Sequence, residues 1–145
     1  MTNAEITWKY LRQYLNAYAV AGIMGNLWYE SGINPKNLQS TYEKRLGMTD
    51  SSYTNAVDNG SYTKFASDSA GYGIAQWTSS GRKKNLLNFA KSSGKSIGDL
   101  EMQCAFLMKE LNGDYNKSCG TPLKSVKSVR EASDIILKKF ERPAN

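Results

Sequence analysis

The segment of residues 18–29 constrains the fold most, because it is almost entirely apolar and contains no charged side chain. In a helical conformation, four residues would share one face: Ala19, Ile23, Leu27 and Glu30. Gly32 and Pro35 follow this segment and are typical of a helix end. The sequence therefore predicts a buried helix whose last turn carries a carboxylate.

Glu30 is the first candidate for a chemical role. A carboxylate on the buried face of an apolar helix is costly unless the protein uses it. Desolvation and the negative end of the helix dipole both favour the protonated form, which a general acid needs near neutral pH. The alternative is a solvated glutamate at a helix end, which is the commoner case. The rest of the sequence must decide between these two interpretations.

Composition excludes several kinds of active site. The 145 residues predict one domain with a core of its own. The absence of histidine excludes Ser–His and Cys–His catalysis and histidine-ligated metals, which leaves acid–base chemistry to Asp, Glu, Lys or Tyr. Two cysteines cannot complete a zinc site, so we expect neither metal nor cofactor. Cys104 lies at a helical core position that predicts a buried free thiol, while a disulfide with Cys119 stays open.

The net charge of +6 suits an anionic partner such as nucleic acid or a polyanionic cell wall, or it serves only solubility. The basic residues are scattered, apart from Arg82-Lys83-Lys84, and no nucleic-acid-binding motif is present. We therefore expect no nucleic acid as partner. No apolar run is long enough to span a bilayer, and the N-terminus lacks the pattern of a secretory signal. We expect neither a membrane span nor a signal peptide.

Helix signals dominate the chain and predict a mainly α domain of the α+β kind, with a small extended segment. Thr2 and Glu5 form a capping-box pattern, and Asn37 could cap a short helix that includes Glu43 and ends at Gly47. Amphipathic patterns predict three further helices. They cover residues 81–91, residues 97–111 after a capping pattern at Ser96 and Asp99, and residues 129–140 after one at Ser128 and Glu131, the last ended by Pro143. Residues 48–68 are polar, and a stretch of that kind in a compact domain is usually functional or mobile.

Residues 71–77 (GYGIAQW), named the glycine turn below, could form a short extended segment or a tight turn. The glycines allow close approach of a ligand, Gln76 offers a donor and an acceptor, and Trp77 offers a stacking face. Asp68 directly precedes the turn, and Glu43 is a further carboxylate candidate. A carboxylic acid, a second carboxylate, an amide and exposed aromatic rings together indicate a carbohydrate site. The alternative is a buried turn whose aromatic side chains fill the core.

Two segments in this order, AVAGIMGNLWYESGINP and GYGIAQWTSSGRKKNLL, resemble the lysozyme-like domains of phage endolysins and phage tail lysozymes. These belong to the goose-type lysozyme and soluble lytic transglycosylase group. The resemblance continues through SIGDLEMQCAFLMKEL to FERP and so covers nearly the whole chain. It implies an enzyme that cleaves the glycan strands of bacterial peptidoglycan as a muramidase, with a lytic transglycosylase or a glucosaminidase as alternatives.

The resemblance also implies roles for single residues. Glu30 matches the family's catalytic acid, and four residues match the segment that lines the sugar groove: Gly73, Ile74, Ala75 and Gln76. Asp68 lies within about one residue of the supporting aspartate of goose-type enzymes. Those enzymes carry another aspartate shortly after the glutamine, where this chain has Trp77 and Thr78. That departure keeps the transglycosylase route open, in which no water attacks.

The expected architecture is a groove with Glu30 at its base, the glycine turn as one wall and residues 48–68 as the other. Asp68 or Glu43 would orient the attacking water. Substrate contacts are expected from the following residues: Tyr72, Gly73, Ile74, Ala75, Gln76, Trp77, Thr78 and Tyr29, with the aromatic rings packing on sugars and Trp28 in the core. The alternative of another class is a non-catalytic module that binds the wall or builds a phage tail.

The resemblance further implies where the protein acts. We expect a phage-encoded protein that acts on the bacterial cell wall, either an endolysin made in the host cytoplasm or a component of the virion tail. Residues 1–145 would form a single monomeric domain, excised from a longer modular protein with a C-terminal targeting domain.

Overall fold

The computed structural model describes residues 1–141, which form a helical domain around one hydrophobic core. The α-helices are α1 (Asn3–Leu11), α2 (Ala17–Ser31), α3 (Ser40–Leu46), α4 (Asp50–Asn59), α5 (Ser80–Ser92), α6 (Leu100–Asn112), α7 (Thr121–Leu123) and α8 (Val129–Ile136). Two π-helical segments, Asn116–Gly120 and Leu137–Glu141, precede α7 and follow α8. The predicted stop at Pro143 lies outside the described residues.

The predicted buried helix is confirmed as α2. Its N-cap Asn16 accepts a hydrogen bond from the backbone N–H of Ala19 at 2.9 Å, which satisfies a donor of the first turn. The helix ends at Gly32, whose φ of 63° lies in the left-handed region that glycine adopts without strain. The predicted inward face is fully buried at three positions: Ala19, Ile23 and Leu27. The capping box that begins α1 is also confirmed at Thr2 and Glu5.

Close packing of α2 against α8 holds the candidate acid's helix in place. The buried carboxamide of Asn26 donates to the backbone oxygen of Ser133 at 3.1 Å and to that of Gly22 at 3.0 Å. The two backbones approach most closely at Gly22, which faces Ala132. A side chain at position 22 would therefore push the two helices apart.

We expect Gly22→Ala to lower the free energy of unfolding by about 1–3 kcal/mol, which is the usual cost of overpacking. Its Cβ would lie 2.6 Å from the Cβ of Ala132 and 2.6 Å from the backbone nitrogen of Ser133. The matched control is Gly25→Ala on the same helix, where no atom lies within 4 Å and the better helix propensity should add up to about 1 kcal/mol. Urea unfolding measures both, and equal stability of the two variants would contradict the packing account.

Residues 48–68 are more regular than their composition indicated, because they contain α4. Thr49 and Ser52 form a reciprocal capping box, and Tyr53 and Val57 place one helical face in the core. The short preceding helix, α3, ends at Gly47 as predicted, but its N-cap is Gln39 and not Asn37. Asn37 instead accepts hydrogen bonds from the glycine turn: its backbone oxygen accepts from Gly73 and Gln76, and its side-chain oxygen accepts from Gln76.

The expected extended segment is absent from residues 1–141 as a strand. The glycine turn instead makes two single-residue bridges, Leu38 with Tyr72 and Tyr72 with Trp77. The prediction of a buried free thiol at Cys104 is confirmed, and Cys119 is also free and buried, so the two form no disulfide. Burial raises the pKa of the Cys104 thiol to about 11.

Candidate active site

The structure brings the Glu30 motif against the glycine turn. Ser31, the next residue after Glu30, donates its hydroxyl hydrogen bond to the backbone oxygen of Ile74 at 2.7 Å. The Ser31 hydroxyl oxygen also lies 3.0 Å from the backbone oxygen of Leu27 and accepts from the backbone N–H of Ile33 at 3.1 Å. Glu30 is half-buried at the last turn of α2. The two motifs therefore lie in contact, although more than forty positions separate them along the chain.

Residues 37–39 form the second support of the glycine turn. The backbone N–H of Gln39 donates to the backbone oxygen of Gly71 at 2.8 Å, and the side chain of Gln39 accepts from the Gly71 N–H at 3.0 Å. The N–H of Gly73 donates to the backbone oxygen of Asn37 at 3.0 Å. A Cβ at Gly71 would lie 2.8 Å from the side-chain oxygen of Gln76, so the Gln76 side chain would have to shift.

Gln76 occupies a backbone conformation that a non-glycine residue rarely adopts, with φ of 53°. Its Nε2 lies 2.9 Å from the backbone oxygen of Asn37, 3.1 Å from the Asn37 side-chain oxygen and 3.0 Å from the backbone oxygen of Gly73. These bonds hold a conformation that costs on the order of 1–3 kcal/mol. Strain of this kind is concentrated at functional sites, which supports the placement of Gln76 in the site.

Gln103 is a positioning residue that the sequence reasoning missed. Its fully buried carboxamide accepts from the backbone N–H of Ile74 at 2.9 Å and donates to the backbone oxygens of Pro35 and Ile97, each at 2.7 Å. One side chain on α6 thus fixes the turn and the segment that follows α2. A glutamine inside the apolar run of α6 was the signal that could have revealed it, because a buried amide requires partners.

The structure corrects the expected roles of the aromatic residues. Tyr72 and Trp77 are 0% and 1% exposed, so neither ring can pack on a sugar. The hydroxyl of Tyr72 is hydrogen-bonded to Thr54 at 2.6 Å, and the indole N–H of Trp77 donates to Glu110 at 2.8 Å. The turn buries both rings because its tight backbone points them at α4 and α6, and this matches the alternative of a core-filling turn.

Trp28 on α2 shows the opposite error. Trp28, expected in the core, is 67% exposed, and Tyr29 is 76% exposed. Residues two apart on a helix point about 200° apart, so Trp28 lies on the side of α2 away from Glu30. Tyr29 stays a candidate for sugar contact. Among the other expected contacts, Thr78 is exposed and Gln76 is half-buried, whereas three residues are buried and can offer only backbone atoms: Gly73, Ile74 and Ala75.

Asp68 lies in a buried hydrogen-bond network, and its side chain is 4% exposed. Its carboxylate pairs with Nζ of the fully buried Lys83 at 2.6 Å and accepts from Tyr53 at 2.6 Å, Tyr62 at 2.8 Å and the Ala70 N–H at 2.9 Å. Burial alone would raise the pKa of Asp68, but these hydrogen bonds and the charge of Lys83 hold it below its ordinary value. The same lysine donates to the backbone oxygen of Ala70 at 2.6 Å, so the pair fixes the start of the glycine turn.

Glu43 lies on α3 and faces a second acidic side chain. A hydrogen bond with Asp50, followed by smaller effects of burial and of the Asp50 charge, raises the pKa of Glu43 above its ordinary value. Asp50 also accepts from the backbone N–H of Leu38 at 2.9 Å. Because residues 37–39 support the glycine turn, Asp50 connects α4 to the site. The water-orienting role of Asp68 or Glu43 stays a prediction.

A second charged pair, also missed from the sequence, lies behind Trp77. Arg82 binds Glu110 through two hydrogen bonds of 2.8 and 2.9 Å, and Glu110 also receives the Trp77 indole N–H. Arg82 further donates to the backbone oxygen of Phe140 at 2.8 Å. From the sequence, Arg82 was noted only as part of a basic cluster. The pair was missed because an ion pair between residues far apart along the chain leaves no local sequence pattern.

The residues described contain no cluster of three or more side chains suited to hold a metal ion. Within residues 1–141, no helix has both the length and the apolar character needed to cross a membrane.

Comparison with known proteins gave a curated relative and a family. Morphogenesis protein 1 of Bacillus phage B103 is 26% identical over 156 residues, which cover all of this chain and 36% of that protein. The chain thus spans about a third of the length of this curated relative. Residues 2–145 match the family described as phage tail lysozyme. The chain belongs to the phage tail lysozyme family.

Proposed function

We propose that this protein is a glycosidase that cleaves the glycan strands of bacterial peptidoglycan, with Glu30 as the general acid. The hydrogen bond from Ser31 to Ile74 carries the proposal, because it joins the Glu30 motif to the glycine turn. Glu30 would protonate the glycosidic oxygen, and the oxocarbenium-like transition state would develop on the sugar ring. Gln76, Thr78 and Tyr29 are the side chains that remain accessible for substrate contact.

Two versions of the mechanism differ in the group that attacks the sugar after Glu30 has protonated the leaving oxygen. In a hydrolase, a second carboxylate orients the attacking water, and Glu43 is more accessible for this than Asp68. In a lytic transglycosylase, a hydroxyl of the sugar itself attacks and closes an anhydro ring. The occupied oxygens of Asp68 favour a mechanism in which this residue touches no water. The muramidase remains the function proposed, with the transglycosylase as the second candidate.

The products distinguish the candidates directly. Purified peptidoglycan is incubated with the protein, and the new chain ends are identified by mass spectrometry. A muramidase leaves reducing N-acetylmuramic acid ends, a glucosaminidase leaves reducing N-acetylglucosamine ends, and a transglycosylase leaves anhydro ends. Release of no new ends from any peptidoglycan preparation would contradict the proposal and favour a structural module of the phage tail, which the name of the Bacillus phage relative would suit.

A further inference from the structure

We propose that a groove between α5 and α6 binds the peptide stem of the peptidoglycan strand that Glu30 cleaves. The inference rests on the proposed function and adds a second part of the substrate to it. The groove has a volume of about 870 Å³, which lies within the range of small-ligand sites. Its lining includes none of the residues assigned above to the glycan: Glu30, Gln76, Thr78 and Tyr29.

The α5 wall of the groove is suited to bind amides. Asn85, Asn88 and Ser92 line it at helical spacings of three and four, which place them along one face. Among residues 1–141, no protein group is a hydrogen-bond partner of the side-chain carboxamide of Asn85 or of Asn88. Each carboxamide can both donate and accept, as the N–H and C=O groups of a peptide require.

The charges of the groove exclude a polyanion as the occupant. Arg82 and Glu110 neutralise each other in their bidentate pair, which leaves Lys109 and Asp114 as one charge of each sign. The groove is therefore neutral on a chain whose net charge is +6. A peptide stem that carries both carboxylate and ammonium groups complements such a pair, whereas a nucleic acid does not.

The aromatic rings of the groove favour a peptide over a sugar. The guanidinium of Arg82 lies 4.6 Å from the centre of the Tyr115 ring, and Nζ of Lys109 lies 5.1 Å from that of Phe89. Tyr115 also packs edge-on against Phe140 at 5.2 Å. A sugar would stack on open ring faces, and here a cation already lies over one face of Tyr115 and of Phe89.

The glycine turn connects the Glu30 motif with the groove. Ile74 contacts Ser31, and Trp77, three residues further along, contacts Glu110 in the groove. Three residues cannot span more than about 11 Å. A peptide stem of four residues spans up to about 13–14 Å when extended, which exceeds the longest possible separation of the Ile74 and Trp77 backbones.

The test compares two substrates prepared from the same cell walls: intact peptidoglycan, and glycan strands freed of peptide by an amidase. We expect the combined Asn85→Ala and Asn88→Ala variant to raise KM for the intact material at least about fivefold, because two hydrogen bonds are lost. On peptide-free strands the variant should match the unmodified protein. Asn112→Ala, an exposed carboxamide on α6 outside the groove, is the matched control. An equal loss on both substrates, or a loss on neither, overturns the proposal.

A binding experiment separates this proposal from that for Glu30. The Glu30→Gln protein is titrated by NMR with a synthetic stem tetrapeptide, L-Ala-γ-D-Glu-L-Lys-D-Ala. We expect the side-chain amide signals of Asn85 and Asn88 to shift, and Lys109→Ala to weaken binding while Lys84→Ala does not. If these two signals do not move at millimolar peptide, the groove assignment is wrong. If they move but the unmodified protein releases no sugar ends, the groove assignment survives and the glycosidase proposal fails.

Discussion

Glu30→Gln is expected to lower the release of new sugar ends from purified peptidoglycan by at least about 100-fold, which is the usual scale of general acid catalysis. Glutamine keeps the shape of the side chain but has no proton of suitable acidity to transfer to the leaving oxygen. The contacts between Ser31 and the glycine turn do not involve the substituted carboxyl, so the site itself should persist. The measurement is the initial rate of end formation, with thermal unfolding to show that the variant is folded.

Two matched variants complete this experiment. Glu101→Gln, an exposed glutamate in the first turn of α6, should leave the rate unchanged. Glu43→Gln should reduce it less than Glu30→Gln if Glu43 orients water, and should have no effect in a transglycosylase. A folded Glu30→Gln protein that releases ends at a rate near that of the unmodified protein would remove Glu30 from the mechanism.

Asp68→Asn is expected to lower the free energy of unfolding by about 3–5 kcal/mol, the usual cost of leaving one partner of a buried ion pair alone. The amide cannot neutralise Lys83, which is fully buried, and its NH₂ group would face the donors of Tyr53 and Tyr62. Lys83→Met should lower the free energy of unfolding by less than Asp68→Asn does. It removes the buried cation, and the Asp68 carboxylate that remains still accepts three hydrogen bonds. Lys84→Met, at an exposed position next to Lys83, should change stability by no more than about 0.5 kcal/mol.

The pH dependence of unfolding provides an independent test of the pair. The pKa of Asp68 is lower in the folded protein than in the unfolded chain, where it is about 3.9. The stability that the pair contributes is therefore complete above about pH 4 and is lost as the pH falls through the lower folded value. Asp68→Asn should flatten the stability profile in that acidic range. A profile as steep as that of the unmodified protein would show that other carboxylates control acid unfolding.

Stability and activity of Asp68→Asn, measured together, decide the role of Asp68. If it only holds the glycine turn, Asp68→Asn should lose stability while the activity of each folded molecule falls little at low temperature. If it orients water, as its place in the sequence suggested, activity should fall strongly even where the variant is fully folded. The occupied carboxylate oxygens favour the first outcome, because an attacking water would need a free lone pair.

The local parts of the fold were predictable because their causes lie within a few residues. The α2 helix followed from its apolar spacing and from Gly32, and the capping residues of α1 and α8 followed from the need to satisfy the first N–H groups. The start of α6 was predicted less well, because its N-cap is Asp99 and not Ser96. The exception is α4, whose buried Tyr53 and Val57 were obscured by many Ser, Thr, Asn and Asp residues. There tertiary packing outweighed composition.

The sequence by itself determined the helical framework, the candidate acid at the end of α2 and the conformationally demanding turn, since each depends on short-range geometry. Only the tertiary structure decided which of the aromatic and charged side chains face solvent. Trp77 is buried because Glu110, thirty-three positions away, accepts its N–H, and Asp68 is buried because Lys83 neutralises it. Trp28 is exposed because α8 packs on the other side of α2. Burial depends on which distant residue completes a hydrogen bond or covers a face, and no local pattern records that partner.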